Sequence, residues 1–227
     1  MKIDVSQLSE THLMIVLGEK IDVSRTPIIA ALTASLKEAF PSLIEVVPSY
    51  TTIMVEFNPF DVNITAIESF VRRFMSSGQA SAFGLGNKCI VLPVYYDPSV
   101  APDLEAVAQY HGLTIDEVIG HHANQCFTVC AIGFAPGFAF LGEVDDVIAT
   151  PRHAEPRLKV AKGSVGIADT QTAVYPAQSP GGWQIIGNCP VELFDPNEEP
   201  MIPFAVGDTV MFRSVSREQF IELGGVI

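Results

Sequence analysis

The sequence predicts an α+β protein, built as a small N-terminal two-layer α/β domain followed by a larger domain of short strands, a closed barrel or a sandwich. Three observations carry that prediction. Before residue 77, two runs of apolar residues at helical spacing are interleaved with strand-like runs. From Cys126 onward no helical period is sustained until the last residues, and short apolar runs alternate with Gly, Pro and Asp corners. Between these regimes lies Ser76–Asn87 (SSGQASAFGLGN), rich in glycine and small residues, where a domain boundary is expected. The domains are placed at 1–83 and 84–227.

His12–Leu17 reads as a short strand. Thr26-Pro27 then reads as an N-cap followed by proline at the first helical position. Ile29, Leu32, Leu36 and Phe40 repeat at helical spacing and form one buried stripe. Leu43–Val47 and Thr51–Phe57 are strands, and Ile64, Ile67, Val71, Phe74 and Met75 mark a second amphipathic helix. A β-α-β-β-α order closes with both helices on one face of an antiparallel sheet. In the second domain Cys89–Tyr96 is a strand, and Asp103–Tyr110 a short helix ended by Gly112. Thr114 and Glu117 form a capping-box signature that opens the helix carrying His122.

Composition narrows the class. The 227 residues can bury a real core, and an apolar fraction of 48% argues against disorder. Lys and Arg number 13 against 26 Asp and Glu, a net charge of −13 that disfavours nucleic acid as a partner. No apolar run reaches the length of a membrane span, and MKIDVSQLSE lacks a signal peptide's apolar core. Cys89, Cys126, Cys130 and Cys189 show no CxxC pair. Reduced core thiols and a cytoplasmic address are expected, with Cys126 and Cys130 on one face of a strand.

The richest stretch runs from Gly133 to Gly187. Pro136-Gly137 and Pro180-Gly181 suit the centres of type II turns, leaving N–H groups turned outward at Phe138 and at Gly182-Trp183. Read blandly, both are ordinary barrel corners. Between them Arg152, Arg157, Lys159 and Lys162 gather beside His153, opposed only by Glu155. Such an island in an acidic chain can focus a small carboxylate or phosphate. The alternative is a solvated loop paired with surface acids.

His122, GFAPGFAFLG, PR-x4-R, GSVGIA, QTAVYP and SPGGWQIIG stand in this order, and together they resemble the allophanate-hydrolase subunit 1 family. The resemblance implies a cyclophilin-like barrel. It also implies a component of an ATP-dependent 5-oxoprolinase that opens 5-oxo-L-proline to L-glutamate. ATP with magnesium would act in the complex, with no protein-bound metal. Partners would be a protein similar to allophanate-hydrolase subunit 2 (the C subunit of 5-oxoprolinase) and the A subunit. Other readings of the same resemblance are a Kip-type inhibitor docking a sporulation histidine kinase, and a urea- or allophanate-type carboxyltransferase module. The chain departs from the family at Lys162, at Asp169-Thr170 and at Asn188, where an arginine is usual.

The expected catalytic residues are His122, Arg157 and Gln171. A neutral imidazole at 122 suits proton transfer, although a histidine near a helix end is commonly a cap or an interface hydrogen bond. Arg152, Lys162 and Ser179 are expected to bind substrate or nucleotide, with Gly181 and Gly182 supplying backbone donors. Gln171 and Tyr175 share a strand face, and Phe138 and Trp183 wall the apolar side of the pocket, though a lone tryptophan is often simply core. His121 and His122 point apart on a helix and cannot readily share a metal ion. No phosphate loop and no GxSxG motif occurs, so neither Ser164 nor Ser179 is an evident nucleophile.

Overall fold

A computed structural model describes residues 3–77 and 88–227. The chain divides into two compact units, Met1–Asn87 and Lys88–Ile227. The stretch 78–87, around which the boundary is expected, lies outside the described residues, and the 83/84 division remains a proposal.

In the first unit, β1 (Asp4–Gln7), β2 (His12–Val16), β3 (Leu43–Pro48) and β4 (Thr52–Phe57) form an antiparallel sheet in the order β1-β2-β4-β3. The helices are α1 (Thr26–Ala39) and α2 (Ile64–Ser76). Alternation along the strands buries Leu13, Ile15, Ile53, Val55 and Phe57 on one face. These share a core with Ile29, Leu32 and Leu36 of α1 and Ile67, Val71 and Phe74 of α2. The helical stripes therefore pack as their spacing predicts. Strand β1 is new: DVSQ carries almost no apolar signal and sits at a sheet edge. Thr26 is not the cap of α1. The chain enters through a single 3-10 turn whose Ser24 amide donates to Asp22 Oδ1 at 3.1 Å, and Arg25 precedes α1 without a side-chain cap.

The second unit begins with β5 (Cys89–Val94), α3 (Leu104–His111) and α4 (Ile115–Ala123). Gly112 ends α3 in the left-handed region at φ 68°, where the Leu113 amide reaches the Ala108 carbonyl at 2.9 Å. The Thr114–Glu117 capping box opens α4 as expected, with the Thr114 amide donating to Glu117 Oε2 at 2.8 Å. Then come β6 (Cys126–Ile132), β7 (Ala139–Gly142), β8 (Arg157–Val160), β9 (Ser164–Ala168), β10 (Gln171–Val174), β11 (Ser179–Gly181), β12 (Gln184–Asn188), β13 (Thr209–Ser214) and α5 (Arg217–Glu222). Seven strands form one sheet in the order β12-β9-β10-β7-β6-β13-β5, and β11 pairs with β8 in a separate ribbon. Tyr95 and Asn188 exchange two backbone hydrogen bonds of 2.9 Å across the sheet ends, so the barrel nearly closes.

Several barrel strands are buried on both faces, and every residue of β9 is buried. Ala139, Leu141, Val174 and Ile186 point to the main core, which also takes Leu104, Val107 and Val118 from α3 and α4. Phe138, Ala173, Tyr175 and Ile185 fall on the opposite side and form a second cluster with Trp183 and with Val160 of the β8–β11 ribbon. The barrel wall thus has an outer layer of its own.

None of the four cysteines is in a disulfide, but Cys126 is exposed whereas Cys130 is buried. A register shift between Val129 and Ala131 adds a residue to β6. That bulge breaks the alternation on which the shared-face expectation rested.

Candidate functional site

The outer layer forms a half-open cavity of about 280 Å3. Phe134 and Phe138 line it from the turn before β7 and Phe140 from β7, with Tyr175, Pro180, Gly181, Gly182 and Trp183 from the stretch between β10 and β12. Arg152 and Pro156 of the β7–β8 connection complete the wall. The aromatic rings meet edge to face: Phe138 lies 5.4 Å from Tyr175 and 5.8 Å from Trp183, at interplanar angles of 83° and 85°. This arrangement matches the positive ring edge to the negative ring face.

Local sequence explains much of this. The Phe138 amide donates to the Ala135 carbonyl at 3.0 Å and Gly137 has φ 81°, so Pro136-Gly137 is the expected type II turn. That amide closes the turn and is not the outward donor anticipated. Phe134 takes φ 73° although it is not glycine, and it stays 65% exposed at the cavity mouth. Holding a bulky residue there costs about 1–2 kcal/mol.

Pro180-Gly181 is not a turn. It belongs to β11, and Gly181 does not have positive φ. Its glycine has a different cause: a Cβ there would lie 2.4 Å from Tyr175 Oη. Burial pushes the Tyr175 pKa up, opposed by a hydrogen bond with the Trp183 backbone and by the charges of Arg152 and Arg157. Tyr175 therefore keeps its proton at neutral pH.

The cationic island separates into different roles. Arg157 does not line the cavity; it donates to the buried Asp103 at 2.5 Å and to the Trp183 carbonyl at 3.4 Å. His153 Nε2 lies 3.2 Å from the same Asp103 oxygen. Lys162 pairs with Glu192 on the exposed surface, away from the cavity. Arg152 makes no hydrogen bond or ion pair among the described residues, and it stands at the cavity wall.

His122 is corrected most sharply. It is fully buried, with Nδ1 2.7 Å from the Tyr96 hydroxyl and Nε2 2.9 Å from Thr172 Oγ1, and it stacks on Phe212. Thr172 donates its own proton to the Gly166 carbonyl at 2.9 Å. Nε2 must then carry the imidazole hydrogen, and Nδ1 accepts from Tyr96. Burial lowers the His122 pKa from 6.5 to about 3. A sealed, satisfied and neutral histidine ties α4 to the barrel interior and does not line the cavity.

Gln171 shares the face of Tyr175 but starts β10, about 13 Å up the strand, and does not line the cavity. Ser179 also stays outside the lining; its hydroxyl is buried without a hydrogen-bond partner among the described residues. The adjacent histidines do point apart: His121 faces a polar cleft and pairs with Asp145 at 2.9 Å. No group of three or more His, Cys, Asp or Glu among the described residues is placed to hold a metal ion. No helix among them is long and apolar enough to cross a membrane.

Of the expected binding residues, Phe138, Arg152, Tyr175, Gly181, Gly182 and Trp183 meet around one cavity. Phe134, Phe140 and Asp103 escaped sequence reasoning. The even spacing of Phe138 and Phe140 is a usable signal for a shared side, whereas Phe134 lies across the turn and carries none. Asp103 had none, because its charged partner lies 54 residues away.

Fold and cavity together define a class, an α+β protein whose barrel wall carries a built cavity of small-molecule size. Residues 3–204 match the carboxyltransferase domain, subdomain C and D, and the chain belongs to this family, the allophanate-hydrolase subunit 1 family of its motifs. It is 37% identical over 226 residues to the 5-oxoprolinase B subunit of Bacillus subtilis (strain 168), covering 95% of this chain and 94% of that one. It is 40% identical to the 5-oxoprolinase B subunit of Escherichia coli O157:H7 over 76% of this chain and 78% of that one. The crystal structure of TTHA0988 superposes with a TM-score of 0.79 at 30% identity; the match covers 91% of this chain but only 40% of TTHA0988.

Proposed function

We propose that this chain is the B subunit of an ATP-dependent 5-oxoprolinase, and that the aromatic cavity receives 5-oxo-L-proline. The observation that carries the reading is a half-open aromatic cavity with an arginine at its wall, Arg152, that is unpaired among the described residues. The substrate is a flat lactam ring bearing a carboxylate. Phe138, Tyr175 and Trp183 offer the ring apolar faces, and the Arg152 guanidinium matches the carboxylate bidentately. Tyr175 remains protonated and can donate to the lactam carbonyl while the backbone at Trp183 holds its oxygen. The names of the relatives support the same assignment.

At about 280 Å3, the cavity lies just below the range of about 300–1,000 Å3 usual for ligand sites, which suits a single small ring. The chain has no phosphate loop. We assign ATP, and the magnesium that accompanies it, to a site completed by two partners, a protein resembling allophanate-hydrolase subunit 2 (the C subunit) and the A subunit. ATP hydrolysis supplies the driving force for opening a stable amide; this chain binds the lactam, orients it and shields it from water. The thiols, none of them in a disulfide, fit a cytoplasmic complex.

The test is 5-oxo-L-proline-dependent ATP hydrolysis by the chain coexpressed with its partner subunits. Activity is expected only in the complex, and Arg152→Lys should raise KM about tenfold or more. A complex that turns over without any response of KM to Arg152 or Tyr175 would place the substrate elsewhere.

A further inference from the structure

Asp103 stands at the start of α3 with its side chain only 6% exposed, and it does not line the cavity. Its carboxylate accepts two hydrogen bonds and has an imidazole nitrogen close by that is not hydrogen-bonded. Oδ2 takes the Ile185 amide at 2.6 Å, and Oδ1 takes Arg157 at 2.5 Å and lies 3.2 Å from His153 Nε2. A buried carboxylate is held charged only by such partners. Here the partners belong to two structures that frame the cavity.

Arg157 begins β8 and also braces the Trp183 carbonyl at 3.4 Å. His153 immediately follows Arg152, and its amide donates to the Gly182 carbonyl at 2.7 Å. Gln184 adds a third tie, donating to the Pro151 carbonyl at 2.8 Å. The short segment around Arg152 is thus fixed on both sides, with Asp103 as the shared charged anchor.

We propose that Asp103 is a positioning residue for substrate binding, holding the segment 151–157 so that Arg152 presents its guanidinium over the aromatic cavity. The idea rests on the assignment of 5-oxo-L-proline to that cavity. It goes further by naming a residue that touches no substrate yet sets its affinity. The mechanism is electrostatic and local. The Asp103 charge holds Arg157, which braces Trp183, and its Oδ2 holds the Ile185 amide, while the backbone bond from His153 to Gly182 ties the segment beside Arg152 to the same stretch.

The test is a double-mutant cycle on the coexpressed complex, with 5-oxo-L-proline binding read by calorimetric titration. Asp103→Asn should weaken binding about tenfold when Arg152 is present. In the Arg152→Lys background, where the flexible amine no longer needs an oriented fork, Asp103→Asn should weaken binding less than about twofold. Equal losses in both backgrounds would make Asp103 a purely structural residue and overturn the proposal. An unchanged affinity for Asp103→Asn with wild-type Arg152 would overturn it too. Wild-type complex that does not bind 5-oxo-L-proline at all would instead remove the proposed function, and this inference with it. Should Asp103→Asn fail to fold, Arg157→Gln takes its place in the same cycle, because it removes the other half of the same ion pair, and each outcome carries the same meaning.

Discussion

The two faces of one barrel wall treat polar groups in opposite ways. On the inner face His122, Tyr96 and Thr172 form a closed chain of hydrogen bonds in which every proton is accounted for. On the outer face Arg152 stands beside an aromatic cavity with no partner among the described residues. Both features come from residues that the family motifs single out. A satisfied polar network inside a core holds elements in register, whereas an unpaired cation at a cavity wall is available to a ligand. Motif membership alone does not distinguish the two; burial and hydrogen-bond accounting do.

The comparison can be broken most forcefully by acid. The folded pKa of His122, about 3, lies below its ordinary 6.5. The unfolded chain therefore binds an extra proton between those values. The contribution of neutral His122 is fully present above pH 6.5 and is lost as pH falls toward 3. The loss is roughly 1 kcal/mol per pH unit, several kcal/mol across the window. Denaturant unfolding at a series of pH values should show this slope, and His122→Gln should remove it. A slope unaffected by that substitution would mean that His122 is accessible in the folded state.

His122→Ala at neutral pH should cost about 3–5 kcal/mol, since it opens a cavity and leaves the Tyr96 and Thr172 hydroxyls short of a partner. Urea unfolding measures it. On the outer face, Gly181→Ala forces a methyl group to within 2.4 Å of Tyr175 Oη. We expect about 1–3 kcal/mol of lost stability from the overpacking, together with weakened ligand binding as the tyrosine is displaced. The smallest effect belongs to Lys162→Met. Its pair with Glu192 is about half exposed and screened, so stability should change by less than about 1 kcal/mol and substrate KM not at all.

Legibility in the sequence followed the locality of each signal. The stripes Ile29-Leu32-Leu36 and Ile67-Val71-Phe74, the Thr114–Glu117 box and the Gly112 terminus depend on neighbours within one or two turns, and each formed as read. Strand β1 is held by pairing with β2, which its own DVSQ does not reveal. The composition of Pro180-Gly181 suits a turn, but ribbon pairing with β8 overrides that preference and keeps it extended. The aromatic wall was partly visible because its residues cluster in two motifs. The fates of Arg157 and Lys162 were not, since Asp103 and Glu192 lie 54 and 30 residues away in sequence.

The central claim, that the outer face binds and the inner face supports, is tested most directly by one paired titration. The coexpressed complex would be titrated with 5-oxo-L-proline as wild type, Arg152→Lys and His122→Gln, each shown folded at the working pH. The account predicts that Arg152→Lys weakens binding by about 1–3 kcal/mol while His122→Gln leaves it within about 0.5 kcal/mol. The reverse pattern, affinity lost with His122 and kept without the Arg152 fork, would contradict it.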